Sequence, residues 1–269
     1  MITEHSIGKL LIAGFIPGVF SGLVYMAGIY VRVRLNPKLA PLPSIHITWR
    51  RRFLSLYRMW GIFSLFLLVI GGIYFGIFAP TYAGAVGAFG AFVIVLAKRR
   101  MNLQVLMNTL KDAVVTTSTI FIIVVGGMIF ARFLTYTGLV NDVSQTLLSY
   151  DLHAFFYFIC YSLLYLILGM FIEPIAIMVM TLPVMYPVMM SAGFDPIWLG
   201  VISVKLAEIS LVTPPVGLNA YVVKSSSPID ISLEDVFMGI LPFLILDVIT
   251  LIFLIAFPQI TLFLPNLMY

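Results

Sequence analysis

Two proline-interrupted stretches hold the residues best suited to bind an ion or a polar solute. The first has Glu173 directly before Pro174, and the second has Thr213-Pro214-Pro215. Two adjacent prolines remove two backbone donors and disfavour helix before them, so the carbonyls of about 210–213 lose their intrahelical partners. We interpret these carbonyls, together with the Thr213 hydroxyl, as candidate ligands for a hard cation such as sodium.

An anion could bind on the other side of the same break. Gly217 allows a second half-helix to begin, and the free amides at its start suit a negative charge. The alternative is a loop between two spanning helices, but Trp198–Val212 has 15 residues and Leu218–Val223 has six, so only both together span a bilayer. We therefore predict a discontinuous helix and assign as candidate substrate- and ion-binding residues Glu173, Ser210, Thr213, Pro214, Pro215, Gly217 and Asn219, with Thr213 the candidate sodium ligand.

Glu173 lies between two apolar arms, 153–172 and 175–191. A carboxylate at the bilayer centre costs at least ~2.5–3.5 kcal/mol, so it needs water, a cation or a proton there. Non-helical backbone within hydrocarbon also needs protein or a water-filled cavity around it. We therefore predict a hairpin whose tip carries Glu173. The alternative is a glutamate at the membrane surface between two spanning helices.

Three other ionisable residues fall within apolar stretches. Lys205 and Glu208 are three residues apart, on one face of a helix, and a structural ion pair is the favoured interpretation. Asp247 lies midway along the last apolar segment, where only a buried hydrogen bond is expected for it.

The composition places all of these residues in a membrane protein. Of 269 residues, 62% are hydrophobic and 10% are charged, and the mean hydropathy is +1.12. A soluble domain carries about 25% charged residues. The single Cys160 excludes a disulfide framework and a thiolate metal cluster, and His5, His46 and His153 have no metal-ligand spacing. We therefore expect neither an enzyme nor a cofactor other than a coupling cation. A net charge of +4 is too small and scattered for nucleic-acid binding.

Basic residues orient the predicted spans. Eleven of the 15 lysines and arginines lie between Arg32 and Arg58 or between Lys98 and Lys111. Short loops rich in lysine and arginine stay cytoplasmic, and they favour anionic lipid. The predicted topology therefore places 32–58, 98–112 and 224–235 inside and Met1, 135–152 and Tyr269 outside.

The predicted fold is an all-α polytopic membrane protein in four parts. Residues 1–134 form scaffold helices with basic cytoplasmic loops, and 135–152 form an external connection. Residues 153–223 form the hairpin and the broken helix, and 224–269 form a final scaffold helix and a tail. Pro17 is expected to kink the first span.

Four stretches of the sequence resemble a known family, the large membrane subunit of tripartite ATP-independent periplasmic (TRAP) transporters. SIGKL at 6–10 with AGFIPG at 13–18 resembles the family's SIGKLF and AGIIPG. GIFAPTYAGAVG at 76–87 resembles GIFTPTEAGAVG. The stretch from Gly169 to Pro187 with GFDP at 193–196 is similar to the family's proline-rich hairpin, and EISLVTPPVG at 208–217 is close to EIGLITPPVG. The order and spacing of these motifs hold across nearly the whole chain.

The resemblance implies a sodium-coupled, elevator-type importer of small carboxylates in a bacterial inner membrane. It also implies two partners, a periplasmic substrate-binding protein and a small membrane subunit. Two inverted hairpins with unwound helices beside them form the family's sites. By position, 153–191 is the second hairpin and 197–223 its partner helix, so the chain corresponds to the second inverted repeat.

The chain also departs from the family pattern. Tyr82 replaces a usual Glu, Ala79 a Thr, Glu173 an Asp and Ser210 a Gly. The family's N-terminal half, which holds the first hairpin, has no counterpart, so we expect a fragment, a truncated product or one half of a split subunit that does not transport alone. The alternatives are an inactive or structural membrane fragment, or a dicarboxylate or citrate carrier that works without a binding protein.

Overall fold

The computed structural model describes residues 6–40, 48–150, 153–227 and 229–268. The predicted external positions of Met1 and Tyr269 lie outside the described residues, as do 41–47 of the first basic stretch and the last two residues of the connection 135–152.

All regular secondary structure within these residues is helical. The α-helices are, in chain order, α1 (Ile7–Ala13), α2 (Phe15–Leu35), α3 (Trp49–Arg58), α4 (Trp60–Phe66), α5 (Gly72–Tyr74), α6 (Ala83–Ala97), α7 (Leu103–Tyr136), α8 (Leu139–Ser149), α9 (Ala154–Gly169), α10 (Pro174–Ser191), α11 (Pro196–Val212), α12 (Leu218–Ser226), α13 (Leu233–Ala256) and α14 (Gln259–Met268). A π-helical turn (Leu67–Gly71) joins α4 to α5, and short 3-10 turns lie at Pro37–Leu39 and Pro80–Tyr82.

Several of these helices are long and apolar enough to cross a bilayer. Five stretches of the described residues qualify: Ile7–Leu35, Pro80–Ala97, Leu103–Tyr136, Pro174–Ser191 and Leu233–Ala256. The bent pair of α3 and α4–α5 would make a sixth if it counted as one span. The shortest have 18 residues, which rise about 27 Å, close to the hydrocarbon thickness of about 30 Å. The chain is therefore an all-helical integral membrane protein with several spans, as the composition predicts.

Contacts divide the chain into two compact units, Met1–Arg32 with Ser118–Tyr269, and Val33–Thr117. In the first unit α11 lies at the centre and packs against α1, α9, α10 and α13. Its buried residues Leu199, Ile202 and Leu206 form one core with side chains of α9, α10 and α13. The predicted scaffold comprises 1–134 and 224–269, and the predicted hairpin and broken helix comprise 153–223. In the structure, α1, α13 and α14 of the predicted scaffold contact α11 of the broken helix directly. Which helices move together during transport stays a prediction.

The second unit is built on the close approach of α4 and α6. Gly90 of α6 faces Leu65 and Leu68, and a Cβ added at Gly90 would overlap both side chains. Gly87 faces Val69 in the same way. Small residues at a helix contact allow two backbones to approach closely in a membrane, where packing rather than water exclusion drives helix association.

Three stretches predicted as irregular are helical. The stretch 98–112 is helical from Leu103, because the Asn102 side chain caps α7 by accepting a hydrogen bond from the Val105 amide at 2.7 Å. The first basic stretch contains α3, whose apolar residues recur at helical spacing between the arginines. The predicted tail contains α14, which packs against α1.

The first span has a short break in its helix at Gly14, between α1 and α2. Pro17 is the third residue of α2, and its missing N–H leaves the carbonyl four residues earlier, that of Ala13, without a helical donor. The interruption therefore falls one turn before the proline, between α1 and α2.

Candidate functional site

The candidate site is built on α11, whose start is defined by its cap. The Asp195 carboxylate accepts hydrogen bonds from the amides of Ile197 at 2.8 Å and Trp198 at 2.9 Å, and Pro196 occupies the first helical position. This is a favourable N-terminus, since a side-chain oxygen satisfies amides that have no intrahelical partner. The Trp198 indole N–H donates to the Leu254 carbonyl at 3.0 Å, which ties α11 to α13.

The other end of α11 is the predicted break. The helix stops at Val212, and Thr213 is extended (φ −85°, ψ 132°). The Thr213 amide donates to the Ser210 carbonyl at 3.1 Å, and its hydroxyl donates to the Ile209 carbonyl at 2.7 Å. The carbonyl of Leu211 would take its helical hydrogen bond from the nitrogen of Pro215, which carries no hydrogen. The break therefore leaves the Leu211 carbonyl without its helical donor, whereas the carbonyls of Ile209 and Ser210 accept hydrogen bonds from Thr213.

Gly217 starts the second half-helix in a conformation that favours glycine. Its φ of 55° and ψ of 70° are left-handed, and a Cβ there would lie 2.8 Å from a ring carbon of Phe237 and 3.2 Å from the Thr213 carbonyl oxygen. A side chain is thus disfavoured by both backbone and space. The first amides of α12 follow, and Asn219 is exposed in this first turn.

The hairpin turn lies between α9 and α10. Glu173 is the N-cap residue of α10, with Pro174 at the first helical position, but its side chain makes no capping hydrogen bond and is exposed. Gly169, the last residue of α9, packs directly on Ser210, and a Cβ at Gly169 would overlap the Ser210 hydroxyl. The structure therefore brings the end of α9 against the last turn of α11.

Both ends of the hairpin return to one end of the first unit. His153 before α9, Phe194 and Asp195 after α10, and Pro258 after α13 line a common cavity of about 350 Å³. The α9 helix has 16 residues and rises about 24 Å, less than the hydrocarbon thickness of about 30 Å. Whether the turn at Glu173 lies within the membrane stays a prediction.

The predicted site residues fall into two groups. Ser210 lies in the last turn of α11, Thr213, Pro214, Pro215 and Gly217 form the connection between α11 and α12, and Asn219 follows on α12. Ser210 is fully buried, Thr213 is half-buried, and the two prolines are exposed. Glu173 belongs to the hairpin turn and has no hydrogen bond to this group among the described residues, so its predicted role in cation binding stays a prediction.

Comparison with known proteins identifies the family. Residues 1–260 match the family described as "Tripartite ATP-independent periplasmic transporter, DctM component". The chain belongs to this family.

The curated relatives of this chain carry several substrate names. The C4-dicarboxylate TRAP transporter large permease protein DctM of Pseudomonas aeruginosa is 36% identical over 267 residues, which cover 98% of this chain and 61% of that protein. The sialic acid TRAP transporter permease protein SiaT of Haemophilus influenzae is 32% identical over 273 residues, 100% of this chain and 43% of that protein. The 2,3-diketo-L-gulonate TRAP transporter large permease protein YiaN of Escherichia coli is 31% identical, covering 94% and 59%. The chain thus spans 43% to 61% of the length of these relatives.

A buried charge network also includes Asp247, whose charged partner was not predicted from the sequence. The Lys205 ammonium donates to the Asp247 carboxylate at 2.5 Å and to the Glu208 carboxylate at 3.1 Å. The Tyr25 hydroxyl donates to the same Asp247 oxygen at 2.6 Å. The predicted Lys205–Glu208 pair is confirmed, and Asp247 proves to be the better buried partner. The sequence contained one signal for this pair: Lys205 and Asp247 carry opposite charges in different apolar segments, and an isolated charge in hydrocarbon is costly.

This network joins three helices, and it meets α11 one to two turns before the helix break at Thr213. Asp247 lies on α13 and Tyr25 on α2, and the side chains of Lys205 and Asp247 are 8% and 6% exposed. The Glu208 side chain is 58% exposed and lines a groove of about 360 Å³ between α1–α2 and α11. The network therefore holds the C-terminal half of α11 against both neighbouring helices.

Proposed function

We propose that this chain acts in the cation-coupled import of a small organic anion, as part of the large permease of a TRAP-type transporter. The substrate class is a C4-dicarboxylate or a similar carboxylate. Family membership supports the transport role, and the relatives named for C4-dicarboxylates, sialic acid and 2,3-diketo-L-gulonate support an organic anion.

The observation that carries the proposal is the helix break at Thr213-Pro214-Pro215. Discontinuous helices with ion and substrate sites at the break are a recurring design of ion-coupled carriers. Support comes from the proline pair, which gives the Leu211 carbonyl no helical donor, and from the start of α12, where the first amides have no helical acceptor. One turn thus offers ligands for both a cation and an anion.

The cation is proposed to be sodium, held by the carbonyls at the end of α11 and by Thr213. The Thr213 hydroxyl donates its hydrogen to Ile209, so its lone pairs are left to accept, as a hard cation requires. The substrate carboxylate is proposed to lie at the start of α12, near the amides after Gly217 and the exposed Asn219 side chain. Helix N-termini bind anions through unpaired amides and the helix dipole. Glu173 is proposed to approach this site from the hairpin turn.

The proposal includes two partners and a location. A periplasmic binding protein would deliver the substrate, and a small membrane subunit would complete the transporter in a bacterial inner membrane. We further propose that α1, α13 and α14 move with the hairpin and the broken helix, because all of them belong to one compact unit.

Uptake into proteoliposomes by a complete transporter tests this function, with the family's N-terminal half of the large permease and both partners present. Radiolabelled succinate should accumulate only with an inward sodium gradient and only with the binding protein, whereas a potassium gradient of equal size should give none. Uptake that needs sodium but not the binding protein would favour the binding-protein-independent carrier. Absence of uptake for every carboxylate offered, from a folded complex, would favour a structural fragment.

A further inference from the structure

The second compact unit is strongly basic. Residues 33–117 contain ten lysines and arginines but one acidic residue, Asp112. At most one of the ten can be neutralised by a carboxylate of the same unit. The unit therefore carries a net positive charge, and anions attracted to it would come from outside the unit.

Seven of these basic residues lie in α3 or directly after α6. In α3, Trp49, Phe53, Leu56 and Tyr57 recur at helical spacing on one face, and all four side chains are more than half exposed. Arg51 lies on the opposite face. Aromatic residues on one face and arginines on the other are typical of a helix that lies in the membrane interface.

The direction of α3 agrees with an interfacial position. The apolar stretch Trp60–Tyr74 leaves the axis of Trp49–Tyr57 at an angle of 52°. With four arginines in ten residues, α3 is too costly to enter hydrocarbon. It therefore turns away from the span at the membrane surface.

The end of α6 adds three positive charges close to the start of α4. The Lys98 ammonium lies 5.6 Å from the ring centroid of Trp60, the first residue of α4. Arg99 and Arg100 follow, and their amides donate to the carbonyls of Leu96 at 2.8 Å and Val95 at 3.1 Å, which closes the helix. The basic end of α6 thus lies beside the junction of α3 and α4.

We propose that three arginines of α3 and the basic end of α6 form one site for anionic phospholipid headgroups. This cationic patch comprises Arg50, Arg51, Arg52, Lys98, Arg99 and Arg100. Guanidinium groups bind phosphate oxygens through two parallel hydrogen bonds, and each basic residue near an anionic surface adds attraction. The exposed aromatic face of α3 inserts beside the acyl chains of the same lipid. Arg52 stacks on Trp49, its guanidinium carbon 4.7 Å from the ring centroid, and links the two faces.

Native mass spectrometry of the full chain in mild detergent tests the site. Phosphatidylglycerol and phosphatidylcholine are titrated separately, and the first binding event is compared. The test variant is Arg50→Gln/Arg51→Gln, which keeps the Arg52–Trp49 contact. The matched control is Arg132→Gln/Lys224→Gln, because these two basic residues are also exposed and belong to the other unit. Thermal unfolding of each variant verifies the fold.

The wild type should prefer phosphatidylglycerol, and the test variant should bind it about 25-fold more weakly, at about fivefold for each arginine. The control variant should keep the preference, and Arg50→Lys/Arg51→Lys should keep most of it. An equal loss in test and control variants would show general electrostatics and overturn the site, as would a wild type without preference. Unchanged lipid binding with loss of the small membrane subunit on co-purification would assign the patch to a protein partner instead.

Discussion

The buried pair of Lys205 and Asp247 allows a quantitative test of how α11 is held. Replacing Asp247 by leucine removes the buried carboxylate from the Lys205 ammonium, which is 8% exposed and keeps only the half-exposed Glu208 as a carboxylate partner among the described residues. Removing one partner of a buried ion pair costs about 3–5 kcal/mol because the other charge stays desolvated. We expect Asp247→Leu to lower the free energy of unfolding by this amount.

Glu208 supplies the matched comparison, since it is bonded to the same ammonium. Its side chain is 58% exposed, and ion pairs with an exposed partner contribute about 0–1 kcal/mol. Glu208→Gln should therefore cost much less than Asp247→Leu. The double variant Lys205→Met/Asp247→Leu removes both buried charges and should recover most of the loss.

Reversible unfolding in mixed detergent micelles, followed by tryptophan fluorescence, would measure these differences. The reasoning is refuted if Asp247→Leu and Glu208→Gln cost the same, or if the double variant is as unstable as the sum of its single variants.

Three further outcomes follow from the geometry. Gly217→Ala should lower stability by about 1–3 kcal/mol, measured by the same unfolding assay, because a left-handed residue gains a side chain against its neighbours. Gly169→Ala should cost about 1–3 kcal/mol by overpacking, whereas Gly22→Ala, where a Cβ meets no atom within 4 Å, should be neutral or stabilising; equal effects would contradict the packing of α9 on α11. Cysteines at Asp142 and Ser226, in a Cys160→Ser background, should react with an impermeant thiol reagent from opposite sides of the membrane, and labelling of both from one side would reject the topology.

Local chemistry made the break at Thr213 and the hairpin turn at Glu173 predictable. Pro214 and Pro215 have no N–H to donate to a preceding helix, and Pro174 favours a helix that starts directly after Glu173. Neither effect depends on distant parts of the chain. The Lys205–Glu208 pair was predictable because three residues bring side chains to one helix face. Each of these features depends on neighbours in sequence.

Contacts between distant segments were not predictable in the same way. Asp247 is 42 residues from Lys205, and the apolar stretch around it contains no sign of which helix it faces. The α3 helix was predicted as part of a loop because its arginines dominate the composition, although its aromatic spacing is helical. The contact of Gly169 with Ser210 depends on how two helices pack.

The dependence of uptake on sodium in a Pro214→Ala/Pro215→Ala variant tests the central claim most directly. Alanines restore two backbone donors, so α11 can continue and pair the carbonyls that the break exposes. The variant should fold at least as stably as the wild type, yet the assembled transporter should lose sodium-coupled uptake, with Thr213→Val giving a milder weakening of sodium dependence. Wild-type uptake with unchanged sodium dependence in the double variant would show that the break is only a loop and would contradict the site.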